Sequence, residues 1–531
     1  MAAVSAPLPA DRRGEAVSDA VLDSIAAARV GGDFWGHEVW GVKLVAQADV
    51  PVPSERWAGL EAGQVAVLGG APSAELALRA RKLPEPCDPW TLVEQAASVH
   101  ARADDDVAIV AGLLGIPVFG PDFQPIDPQH LREAARERLS RASYRHCFTG
   151  EEADIGQAVR QLAEWRTLFL ANRGISAASG MARWKRDVMR VFLWDGLRSP
   201  PFVKTQRGLD LALREKGALA IWPSRVPAST PDVAAEQGTP LIRIEDGFLR
   251  SRGLGAALHP PGSVVADHMG IYYDARVGSD LETIFATHDF PAELVERAAR
   301  LRARICAAGV TKYGAGQGPI VALPKDRRTV LAVGQVDDDL SVHLGGAGIA
   351  GNLDFLKRVR QAEPDAWIVY RPHPDVRAGH RAGHLSDATV LEHADGIDSG
   401  SPLMQLVQSV DEVHVLSSLT GFEALMRDRS VTVHGMPFYA GWGLTRDLAA
   451  PNGRRGRQLS IDQLVAGALI LYPRYVDPVT CLPCGPEIMV DRLADGSAPS
   501  VSWLIRLRVL QGKLRRLMTL SAELLHGRRP A

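Results

Sequence analysis

The chain has 531 residues, 46% hydrophobic and 23% charged, a composition typical of a folded globular protein large enough for several domains. A formal net charge of −2 gives no electrostatic reason to expect nucleic acid as a partner. The odd count of five cysteines argues against a disulfide framework, and neither a signal-peptide pattern nor a run of about 18 apolar residues occurs. We therefore expect a cytoplasmic protein, either soluble or peripheral to a membrane.

The first part of the chain contains a segment that recurs near the end. Residues 88 to 120 align with residues 401 to 435 with few gaps, and both are predicted to form helix, strand, loop, helix and strand. The loop of the later copy carries hydroxyl groups and a carboxylate, whereas the earlier copy has Ala, Asp and aliphatic residues. We interpret residues 1 to 130 as a degenerate partial Rossmann-like module. The alternative is chance similarity between two ordinary αβαβ segments.

From about residue 165 onward, short apolar runs alternate with helical patterns, as in βαβ units around a parallel sheet. We predict two Rossmann-like halves, residues 165 to 310 and 325 to 492, joined by a linker at residues 311 to 327 and separated by a cleft. The predicted strands are residues 218 to 223, 241 to 246, 329 to 335, 366 to 372, 412 to 417 and 430 to 435. Ligands of such sheets bind beyond the carboxyl ends of the strands. The polar residues at those ends are Asp246, Gln335, His373 and Ser417.

One predicted strand of the first half ends at Glu245 and Asp246, in the stretch RIEDGFLRSRGLG (243 to 255). Adjacent residues of a strand face opposite ways, so if Asp246 points into the cleft, Glu245 points away and is structural, unless the strand has already ended. A carboxylate that faces a phosphate-binding loop across a cleft suits displacement at a sugar carbon. The structural alternative is an aspartate paired with Arg243 or Arg250.

Two loops of the second half are candidates for binding a phosphate. In RPHP (371 to 374), the prolines on both sides of His373 fix its backbone and prevent the strand from continuing. In HVLSSLTGFEAL (414 to 425), a strand leads into a Ser/Thr loop and a helix predicted to begin near Thr420, whose amide groups and hydroxyls would receive a phosphate. For Thr420 and Glu423, a capping box is the structural alternative.

Two further motifs could indicate a metal. The acidic run VDDD (336 to 339) has the form of a metal-binding DxD motif, but it follows a strand, where helix-start carboxylates are common. A phosphate can be neutralised by a helix, a lysine and a histidine, so we expect no metal there. The single CxxC motif, Cys481 to Cys484, lacks a second cysteine pair and clustered histidines, so it is only a weak indication of zinc or of redox chemistry.

The C-terminal residues 500 to 531 are predicted to form a basic amphipathic helix. Leucines recur at helical spacing in residues 503 to 529, where seven basic residues stand against a single glutamate. Such a helix can lie on an anionic membrane surface, or it can pack on the fold with a solvated basic face. Both interpretations stay open.

Seven motifs in one order resemble the bacterial capsule polysaccharide biosynthesis family of the KpsC and KpsS type. They are IEDGFLRSRGLG, GIYYD, VGQVDDD, YRPHPD, SSLTGFEAL, HGMPFYAGWGLTRD and ILYPRYVDP. The resemblance, over roughly residues 165 to 492, implies a GT-B-like α/β fold and a retaining β-Kdo glycosyltransferase that uses CMP-β-Kdo to build the Kdo linker of capsular polysaccharide on a lipid. KpsC-type proteins carry two complete transferase modules, whereas this chain has one, so we expect it to form a single linkage.

The resemblance also implies roles for individual residues. Asp246 would attack or stabilise the anomeric carbon, His373 would bind the CMP phosphate together with the Ser/Thr loop, and Glu423 would hold the ribose or cytosine. The catalytic candidates are Asp246, Glu245 and His373. Candidates for binding substrate or nucleotide are Lys185, Arg250, Ser251, Lys312, Gln335, Arg371, Ser417, Ser418, Thr420 and Glu423.

The implied partners are CMP-Kdo, a Kdo-terminated glycolipid acceptor, the inner membrane surface and other capsule assembly proteins, with no nucleic acid. No cofactor and no metal are expected, and the expected location is the cytoplasm, peripheral to the inner membrane. Two alternatives stay open. The first is a transferase for another CMP-activated ulosonic acid such as a sialic acid, because phosphate and cytidine recognition would look the same. The second is a catalytically silent scaffold of capsule assembly.

Overall fold

A computed structural model describes residues 17–70, 72–249, 260–310, 320–379, 381–398 and 400–495. The chain divides into two compact units, the first being Met1–Gly174 with Trp194–Ser199 and the second Ile175–Leu193 with Pro200–Ala531. The candidates Arg250, Ser251 and Lys312 and the helix predicted at residues 500 to 531 lie outside the described residues. Within the described ranges, no helix combines the length and the apolar character needed to cross a bilayer.

The first unit contains a five-stranded parallel sheet of order β3-β2-β1-β4-β5. Its strands are β1 (Leu44–Gln47), β2 (Val65–Leu68), β3 (Ala80–Arg81), β4 (Ser98–His100) and β5 (Val118–Phe119). Its helices are α1 (Asp19–Ala28), α2 (Ala74–Ala77), α3 (Pro89–Glu94), α4 (Asp106–Leu113), α5 (Pro128–Ser140) and α6 (Ile155–Arg173). The helix, strand, loop, helix and strand predicted over residues 88 to 120 are confirmed as α3, β4, α4 and β5. Helices α5 and α6 extend the unit beyond residue 130.

A buried ion pair fastens α6 to the start of α3. Asp88 is the N-cap of α3, where it accepts a hydrogen bond from the amide of Trp90, and Pro89 occupies the first helical turn. Arg166 of α6 donates to the other carboxylate oxygen of Asp88 over 2.7 Å. Burial raises the pKa of Asp88, and the guanidinium of Arg166 opposes that rise. The first unit thus has a polar anchor of its own beside its apolar core.

The second unit begins with elements of a first sheet. They are β6 (Ile175–Ser179), α7 (Arg186–Phe192), α8 (Thr205–Glu215), β7 (Ala218–Ile221), α9 (Thr230–Glu236), β8 (Leu241–Asp246), β9 (Ser263–Asp267), α10 (Asp280–Thr287) and α11 (Ala292–Ala307). Strands β6, β7 and β8 are parallel. Arg243, Glu245 and Asp246 of β8 are partly buried, whereas β6 and β7 are buried throughout. Continuous apolar strands of this kind are typical of a parallel sheet covered on both faces.

The elements of the second half follow in chain order. They are β10 (Thr329–Val333), α12 (Leu340–Gly345), α13 (Asn352–Ala362), β11 (Trp367–Arg371), α14 (Pro374–Arg377), α15 (Asp387–Leu391), β12 (Gly396–Ile397), α16 (Leu403–Ser409), β13 (Glu412–Val415), α17 (Leu419–Leu425), β14 (Ser430–Val433) and β15 (Arg446–Asp447). The sheet is parallel, with the order β12-β11-β10-β13-β14-β15. The predicted strands of both halves are confirmed to within two residues at their ends, and β8 matches its predicted range.

The last described elements return to the first sheet. They are α18 (Ile461–Val465), a π-helical turn (Ala466–Leu471), β16 (Pro473–Val476), β17 (Pro483–Cys484) and α19 (Pro486–Asp495). Strand β16 pairs antiparallel with β9, which gives that sheet the order β17-β16-β9-β8-β7-β6. Residues 473 to 484, which the sequence placed in the second half, therefore belong to the first sheet. Their pairing covers the edge that β9 would otherwise expose.

Aromatic side chains join the two halves of the second unit. Phe248, just after β8, lies with its ring centroid 4.6 Å from that of Phe438 and 4.8 Å from that of Tyr272. All three belong to or pack against one apolar core cluster that also contains residues of β10 and β13. The carboxyl end of β8 is thereby held against the second half, which positions the candidate site.

Candidate functional site

Lys185 and Asp246 form an ion pair at the carboxyl end of β8. Lys185 closes a 3-10 turn (Arg183–Lys185), and its Nζ lies 2.9 Å from Oδ1 of Asp246. The same Nζ lies 3.6 Å from the ring centroid of Trp222, which follows β7. The side chain of Lys185 is only 10% exposed, so the ammonium is fixed in place by both contacts. Lys185, one of the predicted cations, therefore contacts Asp246, the predicted nucleophile.

The neighbouring carboxylate, Glu245, has an unusual environment. Its Oε1 accepts a hydrogen bond from the amide of Asp246 over 3.1 Å. Burial and the charge of Asp246 raise the pKa of Glu245 to about 7, although Lys185 opposes the rise. The charge of Asp339, in the second half, raises the same pKa. That Glu245 points away if Asp246 points into the cleft stays a prediction.

Two tyrosines of the GIYYD motif lie near Glu245. Burial, followed by the charge of Glu245, raises the pKa of Tyr272 and the pKa of Tyr273 above the ordinary tyrosine value. Both hydroxyls therefore stay protonated at neutral pH. The charges of Asp339 and Asp246 add to the rise in the pKa of Tyr272.

Gln335 fastens the Ser/Thr loop of the second half to the end of β10. Its side-chain oxygen accepts from the amide of Ser417 over 2.7 Å, and its side-chain NH₂ donates to Ser417 Oγ over 3.0 Å. Ser417 Oγ in turn donates to the carbonyl of Ser341 over 3.0 Å. Asn352 accepts from the Gln335 amide and donates to its carbonyl, so the glutamine is held from both sides. Gln335 and Ser417 act here as loop-positioning residues.

The helix after this loop begins one residue earlier than the sequence predicts. Ser418 is the N-cap of α17, and its Oγ accepts from the amide of Thr420 over 3.2 Å. The capping box of Thr420 with Glu423 is therefore wrong, since Thr420 lies inside the first turn. With seven residues α17 is too short for a large macrodipole, so the side-chain hydroxyls matter most. Glu423 is buried within α17.

Tyr439, from the HGMPFYAGWG stretch, supports the same loop. Its hydroxyl donates to the carbonyl of Ser418, and its ring is fully buried. A Cβ on Gly421 would lie 2.3 Å from that hydroxyl, so only glycine lets the tyrosine approach α17 this closely. The position of the Ser418 loop thus depends on a side chain 21 residues away.

Each carboxylate of the VDDD run has a structural partner. Asp337 accepts from the amide of Asn352 at the start of α13, and Asp338 forms an exposed ion pair with Arg381. Asp339 is the N-cap of α12, accepting from the amide of Ser341. The interpretation of this run as a helix start is confirmed for Asp339.

His373 caps a short helix at the end of β11. Its Nδ1 accepts from the amide of Asp375 over 3.1 Å, so in the neutral ring the proton lies on Nε2. Arg371 points elsewhere, donating to Asp398 over 2.5 Å and to the carbonyl of Ser401 over 2.7 Å. A pocket of about 250 Å³ at this turn is lined by Arg371, Pro372, Pro374, Arg377, Ala378 and Asp398.

The predicted site residues thus fall into three groups in the structure. Lys185, Glu245 and Asp246 meet at the end of β8, Gln335 meets the Ser/Thr loop, and Arg371 and His373 lie at the end of β11. Three further residues near these groups were not predicted from the sequence, namely Trp222, Asp339 and Tyr439. Asp339 and Tyr439 lie inside motifs quoted above, so motif membership was the available signal. For Trp222 the sequence offers none.

The family described as capsule polysaccharide biosynthesis protein matches residues 217–315 and 297–475. The lipopolysaccharide-processing protein LpsZ of Rhizobium meliloti is 41% identical over 339 residues, which are 62% of this chain and 75% of LpsZ. The chain belongs to the capsule polysaccharide biosynthesis protein family. The predicted resemblance is therefore confirmed.

The LipA proteins of Neisseria meningitidis are longer relatives of this chain. The capsule polysaccharide modification protein LipA of Neisseria meningitidis serogroup A is 38% identical over 355 residues, 66% of this chain and 50% of LipA. The chain therefore spans about half the length of these first curated relatives.

Two solved structures of Thermosulfurimonas dismutans KpsC match about three fifths of this chain. The β-Kdo 2,7 transferase is 33% identical with a TM-score of 0.50, and it covers 60% of this chain and 99% of its own. The β-Kdo 2,4 transferase is 30% identical with a TM-score of 0.52, and it covers 61% and 99%. The predicted GT-B-like α/β class, with Rossmann-like domains, is confirmed.

Proposed function

We propose that this chain is a retaining glycosyltransferase that transfers β-Kdo from CMP-β-Kdo to a lipid-linked acceptor in capsule polysaccharide biosynthesis. The observation that supports it best is the ion pair of Lys185 with Asp246 at the carboxyl end of β8. This pair occurs in a chain that is 33% and 30% identical to two KpsC β-Kdo transferases over 99% of their lengths. An ion-paired carboxylate at that end of a strand lies where α/β sheets bind their ligands.

In the first chemical step, the carboxylate of Asp246 attacks the anomeric carbon of Kdo. The bond from that carbon to the phosphate oxygen breaks, and CMP leaves with the electron pair. The anomeric carbon of Kdo carries its own carboxylate, whose negative charge would repel an incoming anion. Lys185, held by Trp222 beside Asp246, offsets that charge without having to reorganise.

In the second step, a hydroxyl of the acceptor attacks the same carbon and releases Asp246. Two inversions at one carbon give net retention. The hydroxyl must lose a proton, and Glu245 is a suitable base because its pKa of about 7 lies near the working pH. Its raised pKa also lets it return that proton to solvent between turnovers.

The second half binds the nucleotide in this proposal. The Nε2–H of His373 and the hydroxyls of Ser418 and Thr420 donate to the phosphate, and Glu423 contacts the ribose or cytosine. Gln335 and Ser417 contribute by fixing the loop, as their mutual hydrogen bonds indicate. The carboxylates of the VDDD run serve as caps and an ion pair, so we propose that donor binding needs no metal.

The proposed acceptor is a Kdo-terminated glycolipid at the cytoplasmic face of the inner membrane. Each KpsC neighbour is named for one linkage, 2,7 or 2,4, and each covers about three fifths of this chain. A single module of that kind should form one linkage. We therefore propose that one chain adds one Kdo unit to each acceptor.

The test is incubation of the purified full chain with CMP-Kdo, generated in place by its synthetase, and a fluorescent Kdo-terminated lipid mimic. Mass spectrometry should show a gain of one Kdo unit. Asp246→Asn should lower the transfer rate on the order of 10³-fold or more while CMP affinity stays unchanged. Asp338→Asn is the matched control, because Asp338 is an exposed carboxylate that forms an ion pair with Arg381. It should transfer at the parent rate.

The same assay distinguishes the alternatives. A chain that releases CMP from CMP-sialate and not from CMP-Kdo would be a transferase for another ulosonic acid. Release of CMP from neither donor would identify a scaffold. Full activity of Asp246→Asn would remove this residue from the chemistry and overturn the proposed mechanism.

A further inference from the structure

A buried cluster of metal-type ligands lies along β13 and does not include the Ser/Thr loop that follows this strand. Glu412 begins the strand and His414 follows two residues later, so both side chains face the same side of the sheet. Glu363, which ends α13, reaches the same place. One ligand atom from each of the three lies within 4.8 Å of the other two.

His414 presents a ring nitrogen to both carboxylates without a hydrogen bond to either. Its Nε2 lies 3.7 Å from Oε1 of Glu363 and 3.7 Å from Oε1 of Glu412. These distances are too long for hydrogen bonds. The side chain of His414 is 0% exposed, and its Nε2 is a buried polar atom with no hydrogen-bond partner. Leaving such an atom unsatisfied costs about 1–3 kcal/mol, so the position calls for an explanation.

The second nitrogen of this ring is engaged. His414 Nδ1 lies 3.1 Å from Nε2 of His434, and one of the two carries the shared proton. If His414 donates, its Nε2 keeps a lone pair that points at two carboxylate oxygens. Three electron-pair donors then converge on one buried space, which is the arrangement that a cation stabilises. Metal-binding histidines commonly use their other nitrogen to donate in this way.

Other charged and polar groups surround the cluster and leave the inner oxygens available. Arg328 binds the outer oxygens of both glutamates, Arg446 binds Glu363 Oε1 over 2.9 Å, and Thr432 donates to Glu412 Oε1. A carboxylate oxygen accepts two hydrogen bonds or ligand bonds, so each Oε1 keeps one lone pair. Both arginines are about half exposed, which lets solvent screen them from a bound cation.

We propose that Glu363, Glu412 and His414 bind one divalent transition-metal ion, for which Zn²⁺ is the best match. One imidazole and two carboxylates form a donor set that zinc accepts. Zinc–ligand bonds of about 2.0–2.1 Å put neighbouring tetrahedral ligands about 3.4 Å apart. The 3.7 Å spacings from His414 need to close by only a few tenths of an ångström. A water molecule would complete the coordination.

The proposed ion is structural. Its ligand Glu412 begins β13, whereas Ser417 and Ser418 follow that strand, and the ion would connect the end of α13 to the second-half sheet. A ligand that binds only the folded state stabilises it in proportion to the logarithm of its concentration over Kd. Zinc should therefore raise the unfolding temperature of the chain without entering the transfer reaction, which separates this inference from the function proposed above.

The test uses the untagged full chain, stripped with EDTA and exchanged into metal-free buffer. Zn²⁺ is titrated in competition with a chromophoric chelator, and thermal unfolding is recorded with and without the metal. We expect uptake of one equivalent and a higher unfolding temperature. Co²⁺ in place of Zn²⁺ should give visible absorption bands of a low-symmetry nitrogen and oxygen site. If the stripped chain takes up no more Zn²⁺ than a blank without protein, the proposal is wrong, regardless of the results with the variants.

Variants locate the ion. His414→Gln and Glu363→Gln should each weaken zinc affinity by about 100-fold or more, and His434→Phe by about tenfold. Asp354→Asn, an exposed carboxylate of α13, is the matched control and should bind as the parent does. The serine double variant of Cys481 and Cys484 should also retain zinc. Uptake that survives both ligand variants, or that disappears with the cysteines, contradicts the assignment. If His414→Gln does not fold, Glu363→Gln decides.

Discussion

The sheet of the first unit and the sheet of the second half share their strand order and differ in their loops. In both, the first five strands run third, second, first, fourth and fifth across the sheet, all parallel, and the second-half sheet adds β15 as a sixth strand. Strand β4 places His100 opposite Ala46, and β13 places His414 opposite Ala332. The agreement extends the sequence similarity of residues 88 to 120 and 401 to 435 to topology, and it favours duplication over chance similarity.

The loops that follow β4 and β13 differ in charge. After β13, the hydroxyls of Ser418 and Thr420 lie at the N-cap and in the first turn of α17, which Gln335 and Tyr439 hold in place. After β4, the loop is acidic, and Asp105 accepts from the amide of Arg102 and caps α4. Carboxylates at that position repel a phosphate. The sheet alone therefore makes no anion site, since loop chemistry decides whether the carboxyl end of the strands can bind.

The largest expected contrast is between the two equivalent histidines. His100 stacks on Phe119 with both ring nitrogens buried and unpartnered, whereas His414 hydrogen-bonds to His434. In metal-free buffer, His414→Leu leaves the buried His434 without its partner and should lower the unfolding free energy by about 1–3 kcal/mol. His100→Leu removes unsatisfied atoms and should change it by less than about 1 kcal/mol. Denaturant unfolding of the full chain measures the unfolding free energy of both variants. Equal decreases for His414→Leu and His100→Leu would show that the two histidines do not differ in their contribution to stability.

The next contrast uses two helix glycines. Gly421→Ala puts a methyl group 2.3 Å from the Tyr439 hydroxyl and must move the Ser418 loop. We expect CMP affinity to fall at least about tenfold, or about 1.4 kcal/mol. Gly112→Ala in α4 meets Leu131 and should destabilise the first unit without affecting CMP affinity. Calorimetric titration with CMP checks both, and unchanged binding in a folded Gly421→Ala protein would show that this loop does not contact the donor.

Glu245 should make the stability of the folded chain depend on pH. Its pKa rises from 4.5 in the unfolded chain to about 7 in the folded one, so the folded state binds the extra proton between these values. The unfolding free energy should therefore fall as pH rises from about 4.5 through about 7. Glu245→Gln should remove this fall. The parent-minus-variant difference in denaturant unfolding between pH 5 and 8 isolates it from other titrating groups, and a flat difference would contradict the raised pKa.

The smallest contrast concerns two tyrosine hydroxyls. Tyr439 donates to the carbonyl of Ser418, and Tyr144 of the first unit donates to the carbonyl of Leu139. Phenylalanine at either position should cost about 0.5–1.5 kcal/mol of unfolding free energy. Only Tyr439→Phe should also raise the Kd for CMP, by a few fold. A similar change in Kd for Tyr144→Phe would indicate a general effect of stability on binding.

The sequence by itself determined the class of fold and most strand positions. Strand β8 matches its predicted range, because a short run rich in apolar residues and bounded by turn residues is typical of a buried strand. Asp246 and the Ser/Thr loop could be selected as site candidates because polar residues that end such strands lie on the ligand-binding edge of the sheet.

Only the tertiary structure decided which of those residues meet. Lys185 reaches Asp246 across 61 residues of chain, and Tyr439 supports Ser418 across 21. Ser418 replaced Thr420 as the helix cap because capping depends on backbone angles that the packed strand sets. Strand β16 joined the first sheet because β9 offered an open edge. Local periodicity encodes the elements, whereas the contacts between side chains depend on how distant elements pack, which no short stretch of sequence contains.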